Sequence, residues 1–309
     1  MNLPSLDDYK NKFIECGVAY PLHKTRYNKN GLLSELPNLL NNKTGWPWTE
    51  QTDPQIYSDQ FIWPKLTIVS PSFNQANFLE ETIRSVLLQN YPNLEYIIID
   101  GGSTDNSKEI LERYSPWLSY WRSEKDEGQG QAINLGFSLA SGDYHAWINS
   151  DDYYLKDVFN IVINNFLKTK VDFMYGYGLN YHVESNFFEP IKILPFLDFF
   201  IKIPGLIQPS TFWSASIHKP IWEELHCALD FELWLRLVKG NNRHSIKQPL
   251  SVANVHNQAK TSDPKMKHKW HEDHLKIWAD KAHGSVPEWK TIIILNKIRR
   301  KVYKLLNLF

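Results

Sequence analysis

Two adjacent carboxylates, Asp151 and Asp152, follow the short apolar run Tyr144-His145-Ala146-Trp147-Ile148, with only Asn149 and Ser150 between. Carboxylate oxygens are hard ligands suited to Mg2+ or Mn2+, and a metal between them and a diphosphate would neutralise charge growing on a leaving group. Two other apolar runs end in the same way. Residues 66–70 run into Pro71, Ser72 and Asn74, and residues 96–99 run into Asp100, with Ser103 and Asp105 close behind. A carboxylate such as Asp100, fixed at a sheet edge and facing a crevice, can accept hydrogen bonds from a base or a ribose. Each cluster alone could be a loop or a helix cap, as Asp105 could be for the residues after it. All three being caps by chance is the poorer account.

These side chains need elements to hold them. Residues 66–70 and 96–99 are short, β-branched and apolar throughout, which suits strands buried on both faces. Leu79, Ile83, Val86 and Leu87 have helical spacing within residues 78–89. The same reading gives a helix at 108–114, a strand at 118–122, a helix at 130–140 and a strand at 144–148. A helix follows at 158–167, then a strand at 172–177 and an amphipathic helix at 230–239. Strands alternating with helices predict an α/β fold with a mostly parallel sheet flanked by helices. In such a sheet, ligands bind outside the carboxyl ends of the strands, where the three polar clusters fall.

With those positions in place, a resemblance becomes specific. Ser70-Pro71-Ser72-Phe73-Asn74, Ile99-Asp100-Gly101-Gly102-Ser103-Thr104-Asp105, Asp126-Glu127-Gly128-Gln129-Gly130-Gln131-Ala132-Ile133-Asn134 and Asn149-Ser150-Asp151-Asp152 occur in this order. The set resembles the successive donor-site motifs of the family 2 glycosyltransferases, over roughly residues 65–152. The resemblance implies a GT-A fold and inverting transfer from a nucleotide-sugar donor. It assigns the donor to Pro71, Ser72, Asn74, Asp100, Ser103, Asp126, Gln131, Asn134, Asn149 and Asp152. The metal, Mn2+ or Mg2+, goes to the family's Asp-x-Asp segment, which departs here: its first carboxylate is Asn149, and its second is Asp151. The segment Leu229-Asp230-Phe231-Glu232 is similar to the family's acidic helix start, which makes Asp230 the catalytic base, with Glu232 second and helix capping the rival role for Asp230. The stretch around His256 resembles the late His segment, where imidazole completes the metal shell. Residues 208–213 resemble the stretch lining the acceptor side.

The whole chain limits the alternatives. It has 309 residues, with 34 basic and 34 acidic side chains. Nucleic-acid binders usually carry a basic excess, so nucleic acid is not an expected partner. Two distant cysteines, Cys16 and Cys227, form no zinc motif and no disulfide framework, which fits a reducing cytoplasm. No signal peptide and no membrane span is visible, so the expected location is cytoplasmic. Residues 1–63 read as a polar N-terminal arm, 64–260 as the GT-A-like domain and 261–309 as a C-terminal helical tail. In the arm, the turn residues Asn41-Asn42-Lys43-Thr44-Gly45 precede Trp46-Pro47-Trp48, whose indoles are expected to dock on the main domain. His268, His271 and His274, spaced by three, read as a solvated helix face.

In the tail, Ile292, Ile293, Ile294, Leu295, Ile298, Val302, Leu305, Leu306 and Phe309 are interleaved with Lys297, Arg299, Arg300, Lys301 and Lys304. This basic amphipathic pattern can lie on the anionic inner face of a membrane, or dock on the protein's own domain. Membrane contact would fit a lipid-linked acceptor; otherwise the acceptor is a glycan. Two rival functions remain at this point. A nucleotidyltransferase also uses an α/β sheet and metal-binding carboxylates, but releases pyrophosphate. A glycan-binding protein that has lost activity draws its support from Asn149. The dehydrogenase and hydrolase signatures are broken, and no P-loop is present in the sequence.

Overall fold

In the computed structural model, the described residues are 1–38, 43–194, 205–280 and 286–306. The order of elements is α1 (Leu6–Glu15), β1 (Leu66–Ser72), α2 (Ala76–Leu87), β2 (Leu94–Asp100), α3 (Ser107–Tyr114), β3 (Tyr120–Ser123), α4 (Gln129–Ser138) and β4 (Tyr144–Trp147). Then follow β5 (Tyr153–Tyr154), α5 (Val158–Thr169), β6 (Phe173–His182), β7 (Phe187–Ile191), β8 (Thr211–Ser214), α6 (Leu229–Val238), β9 (Arg243–Val255), α7 (Lys267–Ala279) and α8 (Val286–Leu305).

One sheet runs in the order β3-β2-β1-β4-β8-β6-β9-β5, with β7 paired to β6. The half β3-β2-β1-β4 is parallel throughout, as the alternation of strands and helices predicts. The other half is mixed: β6 and β9 are parallel, whereas β8 and β5 join antiparallel. The chain winds outward from β1 through β2 to β3, then returns to place β4 on the opposite side of β1. That reversal makes the β1/β4 border a topological switch point, the place outside the strand ends where sheets of this kind bind ligands.

Side-chain alternation explains why β1 and β2 are apolar without a break. Ile68, Tyr96 and Ile98 join the core beneath α2, α3 and α5, while Val69, Ile97 and Ile99 join the core beneath α4 and α6. Both faces are covered, so both sets must be apolar.

The N-terminal segment clasps both faces. α1 begins where the Ser5 hydroxyl caps the Asp8 N–H at 3.2 Å, and it buries Phe13 in the core beneath α4. Leu32, Leu36 and Tyr57 enter the opposite core. Trp46 donates its indole N–H to the Tyr154 carbonyl at 2.7 Å, and Trp48 is buried. Arg84 on α2, also buried, ties this stretch down by donating to the carbonyls of Pro47 at 3.0 Å and Trp48 at 2.9 Å. Asn41, Asn42 and Phe309, named above, lie outside the described residues.

The tail packs on the same body. Trp289 at the start of α8 is fully buried, with its ring 6.0 Å from Trp278 of α7 and 6.0 Å from Phe231 of α6. The histidine face on α7 departs in part from expectation. His268 and His271 are exposed, but His274 sits half-buried among Phe231, Trp270 and Trp278 and bonds the Trp270 carbonyl at 2.7 Å. Among the described residues no helix is long and apolar enough to cross a membrane.

Candidate active site

The candidate site is built by loops at the carboxyl ends of β1, β2 and β4. After β1, Asn74 adopts a left-handed φ of 53°, a conformation its short amide side chain tolerates. Its N–H donates to Ser103 Oγ at 2.7 Å, and its Oδ1 accepts from Thr104 N–H at 2.8 Å. The β1 and β2 loops are therefore laced together. Ser72 ends β1 opposite Asp100 in register, and its Oγ is buried with no partner among the described residues. Pro71 is buried beside it.

Asp100 is fully buried rather than facing open space. Its carboxylate accepts from Ser103 N–H at 2.9 Å, Ser103 Oγ at 2.6 Å and Ser123 Oγ at 2.7 Å. Three of roughly four acceptor positions are thus taken. Asp105 is a cap: it accepts from Ala76 N–H at the start of α2 and Ser107 N–H at the start of α3, each at 3.0 Å.

Asp126 lies against Gly101, where an added Cβ would meet both carboxylate oxygens at 3.0 Å and the carboxylate would have to give way. Burial raises the pKa of Asp126 and the Asp100 charge adds to this, against a bond from Gly128 N–H at 2.9 Å. Gln131 at the start of α4 accepts from Glu127 N–H at 2.9 Å. Asn134 belongs to a different role. It is fully buried, and its amide is spent on Ile221 N–H at 2.7 Å, the Ile221 carbonyl at 2.9 Å and Glu223 at 2.8 Å. It braces α4 against the segment that leads into α6.

The end of β4 carries the metal candidates. Asp151 Oδ2 and His256 Nε2 are 3.3 Å apart, although 105 positions separate them in sequence. β9 makes the meeting possible. Its residue Val252 pairs with Tyr153 of β5, which brings His256, just past the strand, alongside Asp151. Asn254 locks the join, donating its side-chain N–H to the Asp151 carbonyl at 2.6 Å and its backbone N–H to Asp152 Oδ1 at 3.1 Å. The His256 ring rests on Phe78, with centroids 4.4 Å apart. Asp152 is buried, and burial together with the Asp151 charge raises its pKa well above the carboxylate range. Its position suits a bracing role beneath Asp151 better than direct contact with a ligand.

Asn149, in place of the first carboxylate, accepts from Gln129 Nε2 at 2.9 Å and Trp147 Nε1 at 3.2 Å, and donates to Gln208 at 3.2 Å. Gln208 is thus tied to the end of β4. Ser210 is fully buried against Ser251, 2.6 Å away. Gln129 also accepts from Lys260 Nζ at 2.7 Å, and Lys260 donates to the His226 carbonyl at 3.1 Å. This polar bridge runs from the end of β4 to the approach to α6.

Asp230 lies in the first turn of α6 and is partly exposed. Desolvation raises its pKa, against backbone hydrogen bonds at the helix start and the nearby His274. Glu232 is excluded as the base: it is fully buried and clasped by Arg236 at 2.7 and 2.6 Å. The loop before α6 is held by Asp273, whose Oδ2 accepts from the N–H groups of His226, Cys227 and Ala228 at 2.9, 2.6 and 3.0 Å. The sequence reading passed over Asp273, Gln129 and Lys260. For Asp273 a signal existed, since it shares a helix face with the buried Ile277 one turn later.

Among the described residues no cluster of three or more His, Cys, Asp or Glu side chains could hold a metal. Asp151 and His256, 3.3 Å apart, would still supply one oxygen and one nitrogen donor. That set fits a cation that takes its remaining ligands from substrate phosphates and water.

Residues 67–218 match the model of glycosyl transferase family 2. An uncharacterized glycosyltransferase of Rickettsia typhi is 28% identical over 215 residues, covering 64% of this chain and 66% of its own length. The WfgD UDP-Glc:alpha-D-GlcNAc-diphosphoundecaprenol beta-1,3-glucosyltransferase of Escherichia coli is 29% identical over 188 residues, covering 59% of this chain and 72% of its own length. The chain spans a smaller part of other relatives, such as 35% of an uncharacterized glycosyltransferase of Rickettsia felis. Among solved structures, Staphylococcus aureus TarS 1-349 in complex with UDP-GlcNAc aligns with a TM-score of 0.54 at 16% identity, covering 70% of this chain and 67% of TarS 1-349. The mannosyltransferase PcManGT of Pyrobaculum calidifontis, in complex with GDP-Man and Mn2+, aligns with a TM-score of 0.55 at 16% identity, covering 76% and 69%. The shared fold is the GT-A fold, and residues 67–218 of this chain form a domain of glycosyl transferase family 2.

Proposed function

We propose that this chain transfers a hexosyl or N-acetylhexosaminyl group from a nucleotide-sugar donor to an acceptor hydroxyl, with inversion at the anomeric carbon. The observation that carries the reading is the Asp151–His256 pair at the β1/β4 switch point, beside a bridge that runs from Asn149 through Gln129 and Lys260 to the loop before α6. The unpartnered Ser72 hydroxyl and the laced Asn74–Ser103 loops suit the donor's base and ribose. Asn149 suits a sugar or ribose hydroxyl. Asp230 takes the proton of the acceptor hydroxyl as its oxygen attacks the anomeric carbon in line, and a single displacement inverts that centre. A divalent cation, Mn2+ or Mg2+, held by Asp151 and His256 would neutralise charge building on the departing nucleoside diphosphate. We place this chemistry on the cytoplasmic side, within residues 64–260 flanked by the arm and the tail, in the synthesis of a polysaccharide or lipid-linked glycan.

The test is a donor panel that begins with UDP-Glc, UDP-GlcNAc and GDP-Man, with Mn2+ or Mg2+. Released nucleoside diphosphate is scored for wild type and Asp151→Ala. Release with one donor, lost in the variant, supports transfer and names the donor. Pyrophosphate release would replace this reading with nucleotidyl transfer. No turnover and no donor binding would favour a glycan-binding protein, for which Asn149 is the supporting feature.

A further inference from the structure

We propose that α8 is a membrane-surface helix that seats the protein on an anionic lipid bilayer. The helix has three sectors. Trp289 and Ile292 are buried on the body of the protein, Trp289 beside Trp278 and Phe231. A second sector is apolar and open: Ile294 is 59% exposed, Ile298 53%, Leu305 83% and Leu306, just past the helix, 61%, with Leu295 and Val302 exposed between them. At about 100° per residue these six fall within an arc of roughly 120°, so they form one stripe and not a scatter. The third sector is cationic. Lys290, Lys297, Arg300, Lys301 and Lys304 are all exposed, and Glu288 is the single acid of the segment 286–306.

Charge identifies the occupant. The whole chain carries 34 basic and 34 acidic side chains, so a cationic excess concentrated on this helix is a local feature. A second copy of the helix would bring like charges together along the stripe, which disfavours pairing through this face. An anionic bilayer answers both exposed sectors: acyl chains accept the stripe and headgroups accept the lysines. The helix is not apolar enough to cross the membrane, so it lies in the interface plane. Its buried end reaches Phe231, the neighbour of Asp230, which would hold the start of α6 at a fixed height above the lipid surface.

The test uses the full chain and sedimentation with vesicles of phosphatidylcholine alone or mixed with phosphatidylglycerol, at low and high salt. Wild type is expected to pellet with the anionic vesicles at low salt and to be released by salt or by removal of the anionic lipid. Lys297→Glu/Lys301→Glu/Lys304→Glu should weaken binding by on the order of 100-fold or more, at about fivefold per basic residue near the surface. Ile298→Asp/Leu305→Asp should also abolish pelleting, and both variants should melt like wild type because these side chains are exposed. Failure of wild type to bind anionic vesicles would overturn the proposal. So would retention of binding in both variants, or concentration-dependent self-association that the stripe variant removes. The readout is binding and not transfer, so its outcome is separate from that of the sugar-transfer reading.

Discussion

Replacing Asp230 with Asn separates a catalytic carboxylate from a helix cap. Two effects oppose each other at this site. The first-turn position favours a negative charge by about 0.3–1 kcal/mol through the helix dipole, yet the pKa is raised, so desolvation prevails. The sign follows for stability. A carboxyl with a folded-state pKa above its ordinary 3.8 binds its proton more tightly when folded. Stability is then highest below 3.8 and falls as pH rises through the raised value. At neutral pH the wild type carries the cost of an ionised, desolvated carboxylate, and the neutral isostere does not. Asp230→Asn should therefore melt no lower than wild type at pH 7, with any gain shrinking as the pH is lowered toward 3.8. Turnover behaves oppositely. Loss of a general base should lower kcat by about 10^2–10^4, or roughly 2.7–5.5 kcal/mol of barrier, with donor affinity unchanged. As the proposed base, Asp230 acts only when ionised, so in wild type the acidic limb of kcat/KM should sit above the usual carboxylate range. Nucleoside diphosphate release, donor binding by calorimetry and urea melts at two pH values measure all of this. Turnover within about tenfold of wild type, or a loss of stability and donor affinity alongside rate, would refute the assignment.

Three further outcomes follow from the same geometry. Glu232→Ala leaves Arg236 without its buried partner and should cost about 3–5 kcal/mol in urea unfolding, while turnover per folded molecule changes little. Asp273→Ala frees three backbone N–H groups ahead of α6. At about 1–3 kcal/mol for each one left unsatisfied, stability should fall by roughly 3 kcal/mol or more; kcat should drop with donor affinity retained, checked by calorimetry beside the rate assay. Arg84→Met removes the donor that holds the Pro47 and Trp48 carbonyls. Limited proteolysis should then cut the arm near residues 43–57 in the variant and leave the wild type intact there.

Where local pattern and burial agree, the sequence is readable. β1, β2 and the helices after them matched expectation to within a few residues, because each strand is covered on both faces and each helix on one. The misses have particular causes. α1 carries Leu6, Tyr9 and Phe13 on one face, but a polar, Asn-rich setting hides that period. β9 contains Pro249 and a register shift opposite Tyr177, which break the local strand signal over its 13 residues. β5 has two residues and exists because β9 lies beside it.

The candidate site divides in the same way. Pro71, Ser72, Asn74, Asp100 and Ser103 are near neighbours in sequence or end adjacent strands, so their grouping follows from an ordered motif. Asn134 and Glu232 have types that suit a site, yet burial commits one to Ile221 and the other to Arg236. No local pattern reports which partner a polar side chain will find across 87 residues, the separation of Asn134 from Ile221. The amino-acid order by itself determined the α/β class, the strand ends and the kinds of side chain placed there, because these depend on short-range periodicity and turn chemistry. Only the tertiary structure decided that His256 meets Asp151, that Asp273 holds the approach to Asp230 and that α8 keeps an apolar stripe uncovered. Those outcomes rest on long-range strand pairing and on which faces remain after the core has closed.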